Sequence, residues 1–149
     1  MKIGRQRFGM SASGQQRNYS MNNKLILYSI DDKAKNAAFE KLCREMGIST
    51  KRLTQSDMTK PVGTVAGIKG IKMSPDSKKP EGIFKIPEIL IFCGINNSHL
   101  DTFLAKYKEY GIAPVQLKAI VTSHNISWSI YSLIQELQRE RIAIMLGKK

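Results

Sequence analysis

The chain has 149 residues and carries 24 Lys and Arg residues against 12 Asp and Glu residues, a formal net charge of +12. This length is typical of a single domain that buries enough apolar surface to fold without a metal or a disulfide. No apolar run reaches the ~18 residues that a membrane-spanning helix needs, and the basic first residues are not followed by the apolar core of a signal peptide. We therefore expect a cytoplasmic protein without a membrane partner.

The two cysteines, Cys43 and Cys93, lie far apart, and neither has a histidine nearby. This spacing is neither a zinc-binding pattern nor the disulfide framework of a secreted protein. Both lie in apolar segments, so we expect them to be small buried hydrophobic residues. No metal site and no cofactor are predicted.

The positive charge is concentrated in two segments. Residues 1–21 have no apolar periodicity and carry basic side chains without an acidic one, which indicates a disordered basic leader. Residues 22–149 are predicted to form a single domain. Within it, the segment from Lys51 to Lys85 is also rich in lysine, and its part at about 69–85 contains many turn-forming residues, which predicts a mobile connector.

The apolar patterns predict the elements in chain order. A strand at 25–30, an amphipathic helix and a strand at 48–55 come first, and Asp31 or Asp32 is the expected N-cap of the helix. A short helix is expected near 62–68. The third strand, at 90–95, precedes a helix with a cap at Ser98 and Asp101, and a fourth strand at 112–122 follows. The last helix, 126–146, is expected to be capped by Ser127 or Asn125.

The two halves of the chain align with each other. Residues 25–30 match 90–95, Asp31 and Asp32 match Asn96 and Asn97, and 45–48 match 109–112 after an adjustment of one residue. This similarity predicts two βαβ units. The unbroken apolar first strand of each unit is typical of a parallel sheet covered on both faces.

The predicted fold class is therefore α/β. We expect a small three-layer sandwich with a mostly parallel four-stranded sheet in the order 2-1-3-4, and a C-terminal helix packed against it. A ferredoxin-like α+β fold is the alternative, since it is also built from two βαβ units. It would leave one sheet face open, which the unbroken apolar strands do not favour.

Polar residues follow three of the predicted strands. Ligands of open α/β sheets bind at the carboxyl ends of the strands, where the strand order reverses. The expected ligand-binding residues follow the first, third and fourth strands: Asp31, Asp32, Asn96, Asn97, Thr122, His124, Asn125 and Trp128. The same residue types also cap helices and form turns, so a purely architectural role is the alternative.

No catalytic residues are predicted. His124 has no second histidine or cysteine nearby, and the chain contains no GxSxG motif that would place Ser123 as a nucleophile. The glycines and lysines of the connector lack the ending of a phosphate-binding P-loop. Asp31 and Asp32 could act as an acid and a base, which leaves an enzyme as the third hypothesis.

The residues Lys118, Thr122, Asn125 and Trp128, followed by a helix that ends in Glu-Leu-Gln-Arg-Glu-Arg at 136–141, resemble the motif of a bacterial family, domain of unknown function 3783. The resemblance covers about residues 89–141 and is looser before them. Ser123 and His124 stand where a proline-containing pair is common in the family. The family has no assigned activity, so the resemblance implies a domain boundary and emphasises these four residues as a unit.

The leading hypothesis is a non-catalytic module that binds a small ligand or a protein partner at the carboxyl rim of its sheet. The alternative is a nucleic-acid-associated protein that uses the leader and the connector as basic arms. Only one aromatic residue, Phe84, alternates with the connector lysines, a pattern that does not favour binding of single strands. The apolar run at 142–146 adds a possible homodimer contact.

Overall fold

The computed structural model describes residues 24–147, so the predicted leader lies outside the described residues. The sheet contains four strands: β1 (Leu25–Ser29), β2 (Ser49–Arg52), β3 (Ile89–Cys93) and β4 (Leu117–Ile120). The helices are α1 (Lys33–Glu45), the short α2 (Val62–Val65), α3 (Asn97–Glu109) and α4 (Ile130–Met145). A 3₁₀ helix spans Gln55–Thr59. Across residues 24–147, no helix is both long and apolar enough to cross a bilayer.

The strand order is β2-β1-β3-β4, which confirms the predicted order. Two pairs, β1 with β2 and β3 with β4, are parallel, and each is joined through a helix. The central pair, β1 with β3, is antiparallel. The sheet is thus mostly parallel, as expected, but the two βαβ units point in opposite directions.

The path of the connector explains the antiparallel pair. Strand β2 ends at Arg52, which lies opposite Tyr28 near the end of β1. Strand β3 begins at Ile89, opposite Ser29 at that same end of β1. The chain between β2 and β3 therefore leaves and re-enters the sheet at one end, so β3 runs against β1.

Helices cover both faces of the sheet, which confirms the three-layer architecture. On one face, α1 and α3 pack against the side chains of Ile26, Leu90 and Phe92. On the other, α4, α2 and the 3₁₀ helix pack against Leu27 and Ile91. Because strand side chains alternate between the faces, both faces of the central strands need apolar residues, and the apolar runs in the sequence supply them.

Cys43 and Cys93 are small buried residues, as predicted. Neither forms a disulfide, and both lie inside the apolar cores. Burial raises the pKa of each thiol to about 12, since the charged thiolate is poorly solvated there. The thiols therefore stay protonated near neutral pH.

Three side-chain caps fix where the long helices begin. Asp32 caps α1 by accepting a hydrogen bond from the Lys35 backbone N–H, which confirms the expected cap. Asn96, and not Ser98 with Asp101, caps α3. Helix α4 is capped by Ser129 rather than by Ser127 or Asn125, because the chain first forms a non-helical turn over 122–129.

In the structure, equivalent positions of the two βαβ units differ by a constant 64 residues, so the alignment needs no one-residue adjustment. The caps Asp32 and Asn96 are equivalent, and Gly47 matches Gly111 in the positive-φ turn after each helix. In the same register Leu27 matches Ile91, its partner across the central pair. The units are thus related by an approximate two-fold rotation about that residue pair.

Helix α2 and the connector that follows it are held against the start of α4. Helix α2 pairs with the turn before α4, because Val62 N–H donates to the Trp128 carbonyl at 2.8 Å and Gly63 N–H to the Ile126 carbonyl at 2.9 Å. Farther along, Ser74 N–H donates to the Ser127 carbonyl at 2.8 Å. The mobility expected for 69–85 stays a prediction, but these bonds give the connector a defined position.

We expect Gly63→Ala to destabilise the fold. A Cβ at this buried position would lie 2.7 Å from Ile126 Cγ1 and 2.9 Å from Ile71 Cγ1, closer than van der Waals contact allows. Overpacking of this kind costs about 1–3 kcal/mol. Urea denaturation should show the loss, while Thr64→Ala at the exposed neighbouring position serves as the control. Equal midpoints for Gly63→Ala and the unaltered chain would contradict the packing described here.

Candidate functional site

The turn between β4 and α4 is organised by two buried polar residues, Thr122 and Asn125. Thr122 Oγ1 accepts hydrogen bonds from the backbone N–H groups of His124, at 3.1 Å, and Asn125, at 3.3 Å. The Asn125 side chain accepts from Thr122 N–H at 3.0 Å and donates to the Ile120 carbonyl at 3.0 Å. The side chains of Thr122 and Asn125 therefore form hydrogen bonds with the backbone, which agrees with the alternative of a purely structural role.

Asn125 completes the free edge of β4. Val121 N–H donates toward β3, to the Phe92 carbonyl. Since backbone groups alternate in direction along a strand, Ile120 C=O and Thr122 N–H point to the open side. The side-chain amide of Asn125 offers both a donor and an acceptor, so it pairs with both groups as a neighbouring peptide would.

His124 and Trp128 lie on the outer side of the same turn. His124 is exposed and Trp128 is half-buried. Their rings meet edge to face, with centroids 5.1 Å apart and an interplanar angle of 67°. Trp128 also packs against the core on the α4 face of the sheet, which fixes the position of the indole.

Both rings line an open groove between the connector and α4, with a volume of about 680 Å³. One wall is formed by Ser74, Asp76, Ser77 and Lys78 of the connector. The other is formed by α4, from Ser132 to Ile142. The walls are joined by hydrogen bonds at one end of the groove: Lys78 N–H donates to Ser132 Oγ at 2.7 Å, and Ser129 Oγ donates to the Lys78 carbonyl at 2.5 Å.

The charges that line the groove are balanced. Asp76 and Lys78 lie on the connector wall, and Glu136 and Arg139 lie on the α4 wall, where they form an ion pair with each other. Several lining side chains can both donate and accept hydrogen bonds: Ser74, Ser77, Ser132, Gln135 and Gln138. The lining thus offers hydrogen-bond donors and acceptors without a net charge.

The predicted residues after β1 and β3 lie at opposite ends of the sheet. In the antiparallel central pair, the last residue of β1, Ser29, lies beside the first residue of β3. The length of β3, four residue steps or roughly 13 Å, lies between the end of the sheet with Asp31 and Asp32 and the end with Asn96 and Asn97. Asp32 and Asn96 cap helices. The structure brings neither pair to the groove: the antiparallel central pair puts Asp31 and Asp32 at the other end of the sheet, and Asn96 and Asn97 begin α3, which packs on the face opposite α4.

Lys118 of the family motif is also remote from the groove lining. It is buried on β4, and its Nζ donates to the Val115 carbonyl. Of the predicted site residues, only His124 and Trp128 line the groove, next to the turn that Thr122 and Asn125 stabilise. In the described part of the chain, no group of three His, Cys, Asp or Glu side chains is placed to hold a metal ion.

Sequence reasoning missed the connector residues of the groove and its α4 wall. Ser74, Ser77 and Lys78 lie in a turn-rich segment that carries no signal for pairing with a helix some fifty positions later. The only sequence signal is the presence of serines in both segments, since Ser77 and Ser132 each accept a hydrogen bond from the opposite segment. The Phe84 ring packs edge to face on the Tyr131 ring, with the ring centroids 4.9 Å apart. It is therefore not free to stack on a base beside the connector lysines.

The fold is a small three-layer α/β architecture, and its second half matches a known family model. The family model described as Domain of unknown function (DUF3783) matches residues 88–144, from the start of β3 through α4, which confirms the recognised resemblance. The groove's aromatic pair and its α4 wall lie within this matched region. The first βαβ unit and the connector lie outside it.

One curated relative is the "Probable replication-associated protein repA2" of Buchnera aphidicola subsp. Acyrthosiphon pisum (strain APS). It is 31% identical over 125 residues, and the alignment covers 76% of this chain and 48% of the relative. The chain thus spans about half the length of this relative. No solved structure matches the chain significantly.

We expect Asn125→Asp to destabilise the protein although it preserves the shape of the side chain. The carboxylate cannot donate to the Ile120 carbonyl and brings a charge next to it. A buried group left without its partner costs about 1–3 kcal/mol, and more when a charge is involved, so we expect a loss of at least about 2 kcal/mol at neutral pH. The measurement is urea denaturation.

Ser123→Ala is the matched control in the same turn, and its free energy of unfolding should change by less than about 0.5 kcal/mol. An Asn125→Asp variant as stable as the unaltered chain would mean that the amide does not pair with the β4 edge.

Proposed function

We propose that the protein is a nucleic-acid-associated binding module that accommodates an unpaired base in the groove between the connector and α4. The observation that carries this proposal is the His124 and Trp128 pair, which presents aromatic surface at the mouth of a groove lined by hydrogen-bonding side chains. Bases stack on aromatic side chains with about 1–3 kcal/mol each, and polar side chains can pair with base edges.

The folded chain supplies the combination of aromatic and basic residues that the sequence pattern of the connector lacks. Lys78 lines the groove that Trp128 enters, and Lys79 follows it as an exposed residue. Lys69 and Lys72, earlier in the connector, are exposed as well. Single-strand binding proteins combine cationic side chains for the phosphates with aromatic platforms for the bases.

The balanced charges inside the groove indicate where each part of a nucleotide would lie. Asp76 and Glu136 offset Lys78 and Arg139, so the groove has no net positive charge to attract a phosphate. An uncharged base needs no such attraction, and its polar edges match the serines and glutamines of the walls. The backbone of a bound strand would then follow the exposed lysines of the connector, outside the groove.

The curated relative gives this proposal a context. Its name associates that protein with replication, a process in which strands are unpaired and bases become accessible. The net charge of +12 favours association with a polyanion through counterion release. Both observations support a nucleic-acid ligand, and the groove supports an unpaired base as the recognised group.

A mononucleotide is the second candidate ligand. The groove volume of about 680 Å³ falls within the range of small-molecule sites, about 300–1,000 Å³. The leading sequence hypothesis, a small ligand or a protein partner at the carboxyl rim of the sheet, shares His124 and Trp128 with this candidate. Short oligonucleotides and mononucleotides must therefore be compared in one assay.

The first test uses Trp128, the only tryptophan of the chain. Titration with oligo-dT or oligo-rU should quench its fluorescence, since a stacked base contacts the indole. With a labelled oligonucleotide, Trp128→Leu should weaken binding about 5- to 150-fold, because the stacking contribution of about 1–3 kcal/mol is lost. Trp128→Phe should retain most of the affinity.

Tyr110→Leu is the control, because this aromatic residue is exposed after α3, away from the groove. Unchanged affinity of a folded Trp128→Leu variant, or no quenching at saturating oligonucleotide, would refute the groove as the site. Equal affinities for a mononucleotide and an oligonucleotide would instead assign the groove to a small ligand.

The second test concerns the connector lysines. For single strands, the logarithm of the binding constant falls with the logarithm of salt concentration by about 0.7 for each neutralised phosphate. Lys78→Gln and Lys79→Gln should each reduce this slope by up to about 0.7. Lys41→Gln, exposed on α1 at the opposite face of the sheet, should leave it unchanged. A slope unaltered by the connector variants would place the phosphate contacts elsewhere.

A further inference from the structure

A second cavity, of about 490 Å³, lies at the other end of β4. We call it the notch. It is lined on the sheet side by Pro87, Glu88, Pro114 and Leu117, and on the α4 side by Arg141 and Met145. The notch and the groove meet at Gln138 and Ile142, but the aromatic pair and the connector belong to the groove only.

One carboxylate, Glu88, and one cation, Arg141, line the notch, and two further cations, Lys35 and Lys118, lie near them outside the lining. Lys35 pairs with Glu88 at 2.7 Å and also donates to the Pro114 carbonyl at 3.1 Å. Lys118, which is 8% exposed, and Arg141 form no ion pair with any residue in 24–147. Burial, followed by the positive charges of Lys35 and Arg141, lowers the pKa of Lys118. The notch and its surroundings thus have an excess of positive charge.

Two exposed apolar side chains, Ile142 and Met145, line the notch. Met145 is 69% exposed, and Ile142 is more than half exposed, as are Ile144 and Leu146 next to them in the sequence. Among the described residues, four of the six exposed large hydrophobic side chains thus lie in the last turns of α4 and just after it. An apolar patch of this kind, beside a cavity, marks a binding surface.

We propose that the notch and the apolar end of α4 dock an acidic peptide segment of a partner protein. An aliphatic or aromatic side chain of the segment would enter the notch between Pro114, Leu117 and Met145, and its carboxylates would face Arg141. Complementary charge selects the partner, and apolar burial supplies affinity. The surface is distinct from the groove, so this proposal does not depend on the nucleic-acid function.

Charge disfavours a second copy of this chain as the occupant. A symmetric dimer places the same surface on both subunits, which would bring two copies of Arg141 and its neighbouring cations together. Two further lysines, Lys148 and Lys149, follow the apolar run in the sequence. Nucleic acid is disfavoured as well, since the lining of the notch is largely aliphatic and includes no aromatic platform.

The test uses the full chain and a fluorescein-labelled peptide that alternates Glu with Leu, followed by fluorescence anisotropy. We expect saturable binding that Arg141→Gln and Met145→Ser each weaken about fivefold or more. Peptides with Gln in place of Glu, or Ser in place of Leu, should bind at least about tenfold more weakly. Arg44→Gln, exposed on α1, is the matched control and should bind like the unaltered chain. Trp128→Leu should also leave peptide binding unchanged, which separates this surface from the groove.

Several outcomes would overturn the proposal. Equal binding of the Glu and Gln peptides would show that charge complementarity does not select the partner. No binding at millimolar peptide would show that the notch does not dock a segment of this kind. A stable dimer in light scattering that Met145→Ser dissociates would assign the patch to a second copy. Displacement of the peptide by an oligonucleotide, with oligonucleotide binding lost in Arg141→Gln, would assign the notch to nucleic acid.

Discussion

The antiparallel pairing of β1 with β3 is the constraint on which the rest of the structure depends. These two strands form the centre of the sheet, and their side chains supply much of both cores. Because the pair is antiparallel, each βαβ unit presents its strand ends at a different end of the sheet. A single crevice between the two units, of the kind found in doubly wound folds, therefore does not form.

The groove then forms after the end of β4, between the connector and α4, without residues of the first βαβ unit. The buried amide of Asn125 and the hydroxyl of Thr122 satisfy backbone groups of the turn, so that His124 and Trp128 project from a fixed base. A rigid support of this kind reduces the ordering cost when a ligand binds. Thr122 and Asn125 therefore support the turn, whereas His124 and Trp128 are the residues that we propose for binding.

Helix α4 connects two surfaces of different chemistry. Near its start, the groove has balanced charges, polar walls and an aromatic pair, whereas the notch near its end is aliphatic and has an excess of cations. Both surfaces involve side chains of one helix, which packs through Leu133, Ile134 and Leu137 against the sheet. The stability of that packing is common to both, while the ligands we propose for them differ.

The sequence by itself determined the elements, the strand order, the burial of Cys43 and Cys93 and the family of the second half. These depend on local apolar periodicity and on short motifs, which a single chain displays directly. It did not determine the direction of β3, since unbroken apolar strands fit either direction when both faces are covered. Only the tertiary structure decided which polar residues meet. The connector crosses the α4 face and returns, so Lys78 lies at the groove of Trp128, while Asp31 and Asp32 are left at the opposite end of the sheet from Asn96 and Asn97.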